Sequence, residues 1–266
     1  MSRQSRSVTV VIPARFDSSR LPGKPLVVLN GKPMIQHVYE KAVACRLVSD
    51  VLVATDDDRI KQAVDQFGGR VVMVTGNYRS GTDRVAAVAR MFAGEFFVDL
   101  QSDEIPLNQE FLADLIEPFI QSGAEMGTLK RVIDSTEDLH NPSVVKVVTD
   151  ARGYALYFSR APIPLVRDDP DRRAVGGLHY VHLGLYMYTK ETLLRFAALP
   201  SGPLEQAEKL EQLRALENGI RIRVWPTEHA SLRVDQREDI AGVADKLQQY
   251  DALKRELDTK GAVLGR

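Results

Sequence analysis

Short apolar runs rich in β-branched residues alternate with helix-period segments through the first half of the chain. This alternation restricts the fold more than any other feature. Val8 to Ile12, Val51 to Thr55, Val71 to Val74 and Phe96 to Leu100 read as strands. Met34 to Cys45, Asp58 to Phe67, about Thr82 to Phe92 and about Gln109 to Gln121 read as helices. Continuous apolar strands alternating with helices predict an α/β fold: a doubly wound, mostly parallel sheet covered on both faces, with right-handed crossovers. Ligands of such sheets bind at the carboxyl ends of the strands. Chemistry is therefore expected in the loops after Ile12, Thr55, Val74 and Leu100.

The pattern changes after Gly127. Val144 to Thr149 and Tyr154 to Ser159 read as a hairpin around Asp150-Ala151-Arg152-Gly153. Residues 162–177 read as a loop and His179 to Tyr188 as a strand. Glu205 to Asn218 reads as a helix closed by Gly219, followed by a strand at Ile220 to Trp225 and a long helix at Arg237 to Leu257. Beyond Asp258 a frayed tail is expected. The whole, residues 1–266, is read as one domain, with a smaller antiparallel insertion at about 128–200.

A chain of 266 residues, 44% hydrophobic and 27% charged, can bury a full core without disulfide or metal staples. Its formal net charge of −1 gives no general attraction to nucleic acid or anionic membrane, so an anion site must be a local cluster of cations. Cys45 is the single cysteine, which excludes an intrachain disulfide and fits a cytoplasmic location. The apolar run at Val8 to Ile12 is too short for a signal segment, and no stretch has membrane-spanning length.

The first loop, Pro13 to Leu26, reads PARFDSSRLPGKPL and carries Arg15, Arg20 and Lys24 in a Ser/Gly/Pro setting. Gly23 allows close backbone approach, and the three cations add charge-assisted donors, so the loop has the chemistry of a phosphate cradle. Neither GxxxxGK[ST] nor GxGxxG is present, which excludes a Walker loop and a Rossmann dehydrogenase. The second loop, Thr55 to Asp58, reads chiefly as a helix cap. In the third, Ser80-Gly81-Thr82, Thr82 can cap the next helix while Ser80 and Gly81 present backbone to a base or ribose. The fourth holds Gln101 and Asp103; a carboxylate past a buried strand and facing a cationic loop needs a partner, and Mg²⁺ is a natural one.

PARF-x-SSRLPGKPL with NGKPMIQHVYE at 30–40 resembles the 3-deoxy-manno-octulosonate (KDO) cytidylyltransferases, or CMP-KDO synthetases. The resemblance continues through VATDDDRI (53–60), SGTDR (80–84), QSDEI (101–105), NPSVVKVV (141–148), YALYFSRAPIP (154–164), HLGLYMY (182–188), PLEQAEKLEQLR (203–214) and VDQRED (234–239), so it covers nearly the whole chain. It implies a nucleotide-diphospho-sugar transferase-like fold and transfer of CMP from CTP to an acidic sugar for lipopolysaccharide. It also implies a homodimer built through the 128–200 region, and Mg²⁺ held by Asp103 and Asp235. It places Ala14, Arg15, Arg20, Lys24, Ser80, Gly81 and Thr82 at the nucleotide, with Arg15, Lys24 and Asp103 catalytic. It puts Gln101, Arg160, His182, Tyr186 and Glu211 at the sugar acid, Glu211 fitting better than Gln206. The family usually has Q-G-D-E-P and G-V-D-T-P-E-D where this chain has Gln101-Ser102-Asp103-Glu104-Ile105 and Arg233-Val234-Asp235-Gln236-Arg237-Glu238-Asp239. These departures leave open a modified octulosonate such as the 8-amino sugar, another 2-keto sugar acid, or a catalytically silent CTP-binding regulator.

Overall fold

Six consecutive buried residues form β1 (Val8–Pro13), the strand on which the sheet is assembled. The computed structural model describes residues 7–17, 21–169, 176–234 and 236–264. A 3₁₀ turn at Lys24–Leu26 leads to β2 (Val28–Leu29), β3 (Lys32–Pro33) and α1 (Met34–Ala44). Next come β4 (Asp50–Thr55), α2 (Asp58–Gln66), β5 (Val71–Met73), α3 (Gly81–Met91), β6 (Phe96–Leu100), β7 (Glu104–Pro106) and α4 (Glu110–Ser122). The second half holds β8 (Met126–Val132), α5 (Thr136–His140), β9 (Lys146–Thr149), β10 (Ala155–Ser159), β11 (Tyr180–Thr189) and α6 (Lys190–Ala198). The chain continues with α7 (Pro203–Glu208), α8 (Gln212–Glu217), β12 (Ile222–Pro226), β13 (Ser231–Arg233) and α9 (Asp239–Leu264).

β1 pairs in parallel with β4 and β6, and β5 extends the parallel edge beyond β4. β6 is the junction: its other edge accepts β11 in antiparallel register, and β9 and β10 follow. β8 also joins β11, and β12 lies parallel on β8. The fold is thus α/β, with a parallel sheet continued by antiparallel strands. Alternate residues of β1 separate two cores. Val8, Val10 and Ile12 pack with α1 and α4, whereas Val11 packs with α3, α6 and α8.

Two expectations differ from the structure, and two strand pairings have no counterpart in the sequence reading. The Glu205–Asn218 helix is broken into α7 and α8 at Lys209, whose φ of 54° is left-handed. The break seats Leu210 in the core and carries Glu211 into a cavity, a gain in burial that helix periodicity does not register. β8 has no apolar alternation; pairing on both edges, to β11 and β12, makes it a strand. The small sheet of β7 and β13 joins segments 127 positions apart, with Glu104 opposite Arg233. Lastly, α9 runs to Leu264 instead of fraying after Asp258.

Candidate active site

Two cavities open at the carboxyl ends of β1 and β6. The smaller, about 350 Å³, is lined by Ala14, Arg15 and Lys24 from the first loop, Ser80 and Gly81 at the start of α3, and Gln101 and Asp103 after β6, among others. The loop after β1 is held by backbone: Gly23 N–H donates to Phe16 O at 2.8 Å, and Gly23 adopts φ 70° with the Phe16 ring against it. A Cβ there would lie 3.0 Å from the ring, so glycine is required twice over, by conformation and by space. Gly23 hands the chain to Lys24, which is 9% exposed and whose Nζ donates to Asp103 Oδ2 at 2.5 Å. Arg20 and Asp235 lie outside the described residues.

The larger cavity, about 610 Å³, is lined by Arg160, His182, Tyr186 and Glu211, together with Thr82. Gly81, Gln101 and Asp103 line both cavities and form their common wall. Gly81 is needed for that closeness: an added Cβ would sit 3.1 Å from Gln101 Nε2 and 3.1 Å from Pro13 Cγ. The Tyr186 hydroxyl is buried without a hydrogen-bond partner among the described residues, as suits a donor reserved for a bound group. Burial holds its pKa well above the ordinary phenol value. His182 is buried too, and loss of water pulls its pKa down to about 3, with Arg233 adding to the effect. It is therefore a neutral imidazole whose Nε2 lies 3.1 Å from Thr128 Oγ1.

Arg160 is more constrained than a free anion receptor. Its Nε donates to Glu208 O at 2.7 Å, Nη1 to Pro142 O at 2.8 Å and Nη2 to Lys209 O at 3.4 Å. It clamps two loops over the cavity that it lines. Gln206 is exposed and donates to Ser201 O, away from the cavity; Gln212 lines it instead. The cap of α3 is also reassigned. Ser80 caps it, accepting from Asp83 N–H, while the Thr82 hydroxyl lies 2.9 Å from both Asp99 Oδ2 and Glu211 Oε2. A carboxylate pair one turn inward captures Thr82, whereas Ser80, at the true boundary, is left to close the helix.

Several site residues escape the sequence reading. Asp99 sits inside an apolar strand run, and only its polarity among Phe97, Val98 and Leu100 marked it. Arg84, on α3, lines the smaller cavity; its Nη2 donates to Asp56 Oδ2 at 2.9 Å and its Nη1 is buried without a partner among the described residues. Asp56 of the second loop thus serves the site through Arg84, while Asp57 caps α2 as expected. Lys146 is fully buried and donates to the carbonyls of Asn141, Val144 and Arg160 at 2.9, 2.5 and 2.7 Å, fastening the cavity rim. Burial lowers its pKa.

A cationic loop at a sheet switch, an acidic residue beside it and a second polar cavity sharing one wall are the features of a nucleotide-using transferase. The cytidylyltransferase profile matches residues 9–222. The chain is 51% identical over 248 residues, 91% of this chain and 99% of the relative, to a 3-deoxy-manno-octulosonate cytidylyltransferase of Geobacter sulfurreducens. It is 47% identical over 249 residues to one from Trichlorobacter lovleyi, covering 91% of this chain and 99% of the relative. Among solved structures it superposes on a CMP:2-keto-3-deoxy-manno-octonic acid synthetase complexed with CTP, with TM-score 0.84, 40% identity, and 91% and 99% of the two chains covered. The chain belongs to the cytidylyltransferase family.

Proposed function

We propose that this chain transfers CMP from CTP to the anomeric hydroxyl of KDO, releasing pyrophosphate. The observation that carries the reading is the shared wall. A nucleotide in the smaller cavity and a sugar acid in the larger would meet at Gly81, Gln101 and Asp103. The names and 47–51% identities of the relatives favour KDO over a modified octulosonate, another 2-keto acid or a silent regulator.

Arg15 and Lys24 would hold the triphosphate and balance the charge that develops on departing pyrophosphate. Arg160, with the Tyr186 hydroxyl and Glu211, would orient the sugar acid so that its hydroxyl faces the α-phosphorus in line. The attacking oxygen forms the new P–O bond, the bond to the β-phosphate oxygen breaks, and the hydroxyl proton leaves to solvent.

Mg²⁺ fits the donor set. Asp103 faces both cavities with its side chain 20% exposed, and this ion prefers one or two carboxylates completed by phosphate oxygens and water. Asp103 would hold it, with Asp235 as a second carboxylate; when bound it would neutralise phosphate charge and favour the ionised acceptor hydroxyl.

We further read the protein as a cytoplasmic homodimer in lipopolysaccharide synthesis, using the 128–200 region for contact. The lone Cys45 is compatible with that compartment, and among the described residues no helix is long and apolar enough to cross a membrane. Light scattering tests the dimer. Pyrophosphate release from CTP with KDO, with and without Mg²⁺, tests the activity. Release with another sugar acid but not with KDO would overturn the acceptor.

A further inference from the structure

A count of hydrogens in the lining of the larger cavity singles out Asp99. Thr82 Oγ1 lies 2.9 Å from Asp99 Oδ2 and 2.9 Å from Glu211 Oε2. A hydroxyl carries one hydrogen, and ionised carboxylates can only accept. If both acids were ionised, one of the two contacts would set lone pair against lone pair. One carboxyl must therefore bring a proton.

The surroundings decide which. Burial raises the Glu211 pKa as well, but Glu211 accepts from the Ser80 hydroxyl at 2.8 Å and from the Arg214 guanidinium, so it has a cation that Asp99 lacks; Asp83 is a further charge near it. Asp99 is 1% exposed, and its other oxygen accepts from Gln101 Nε2 at 2.6 Å. Its charged neighbours, Glu211 and Asp103, are both negative, and Asp103 is matched by Lys24. From the flanking strands Asp99 faces the neutral phenols Tyr186 and Tyr188 of β11 and apolar Val11 of β1. Desolvation, with Glu211 adding to it, raises the Asp99 pKa to about 7, in agreement with the count.

We propose that Asp99 is a positioning residue that works as a protonated carboxyl: its O–H donates to Thr82, the Thr82 hydroxyl donates to ionised Glu211, and the Asp99 carbonyl oxygen fixes the Gln101 amide. The chain of bonds locks Gln101 in the shared wall and Glu211 in the lining of the larger cavity. It also leaves Gln101 Oε1 as the acceptor offered to the cavities. Ionisation of Asp99 breaks the chain at Thr82.

The test compares Asp99→Asn with Asp99→Leu. An asparagine offers N–H to Thr82 and C=O to Gln101, reproducing the protonated acid. Asp99→Asn should keep kcat and the sugar-acid KM within about threefold of the parent at pH 7, and should abolish the decline in rate on the alkaline side. Asp99→Leu should raise the sugar-acid KM about tenfold or more while the CTP Kd, read by titration calorimetry, stays within about threefold. The parent protein at pH 6 should show an infrared band of a protonated carboxyl that is missing in Asp99→Asn. The kinetic measurements rest on the sugar-acid reading of the larger cavity, whereas the infrared band does not, so failure of one is separable from failure of the other. A loss of about 100-fold or more in Asp99→Asn at every pH would show that the ionised form works and overturn the proposal. Absence of the band, or an unchanged sugar-acid KM in Asp99→Leu, would overturn it equally.

Discussion

Lys24 Nζ lies 2.5 Å from Asp103 Oδ2, joining the cationic loop after β1 to the acidic loop after β6 across 79 sequence positions. Each charge lowers the cost of burying the other, and together they mark the point where the two cavities meet.

Removing either partner should separate charge placement from folding. Asp103→Asn should cut pyrophosphate release by about 1000-fold or more, and Lys24→Met by about 100-fold with a raised CTP KM, as expected for groups that meet charge formed in the transition state. Circular dichroism should be unchanged in both. Near-normal turnover in Asp103→Asn rejects the metal-ligand role.

Gly81 tests the wall itself. Its substitution by alanine places a methyl 3.1 Å from Gln101 Nε2 and from Pro13 Cγ. Gln101 is the movable neighbour, so the melting temperature should hardly change. The kcat/KM should fall about tenfold, roughly 1.4 kcal/mol in the transition state. An unchanged kcat/KM would show that the position of Gln101 does not matter.

Lys146 tests the rim. Lys146→Met leaves the carbonyls of Asn141, Val144 and Arg160 without their donor. The expected cost is about 2 to 4 kcal/mol in a urea titration, with a raised sugar-acid KM and a smaller change for CTP. An equal rise in both KM values would contradict a role confined to the larger cavity.

Two buried groups pull the stability profile in opposite directions. The Asp99 pKa rises from 3.8 to about 7 on folding, so its contribution is complete below pH 3.8 and is lost as pH climbs to 7. The His182 pKa falls from 6.5 to about 3, so its contribution is complete above pH 6.5 and is lost as pH drops toward 3. Between these limits the slopes oppose, each up to about 1.4 kcal/mol per pH unit. Urea midpoints of Asp99→Asn should therefore rise with pH from 3 to 6.5, and those of His182→Asn should fall from 3.8 to 7. Parallel profiles for the two variants would refute the assignment.

The α/β class and the site loops of the first half were legible because each is local. A β-branched run such as Val8–Pro13 is buried on both faces wherever it lies, and Gly23 before Lys24 forces its turn from within. The larger cavity was legible only as a list of residues carried by resemblance. Nothing in the spacing of Thr82, Asp99 and Glu211 announces that they touch, and the helix that carries Glu211 reads as continuous until Lys209 breaks it.

The sequence by itself determined the alternating strands and helices of the first half, and which loop carries the cations of the smaller cavity. Those outcomes follow from hydrophobic period and backbone preference within a few residues. Tertiary structure alone decided that Lys24 meets Asp103, that β8 is a strand, and that Thr82 is drawn from capping its helix to bridge two acids. These contacts join positions far apart in the chain. Their energies depend on burial and on shared hydrogen bonds, which exist only once the sheet has brought the strand ends together.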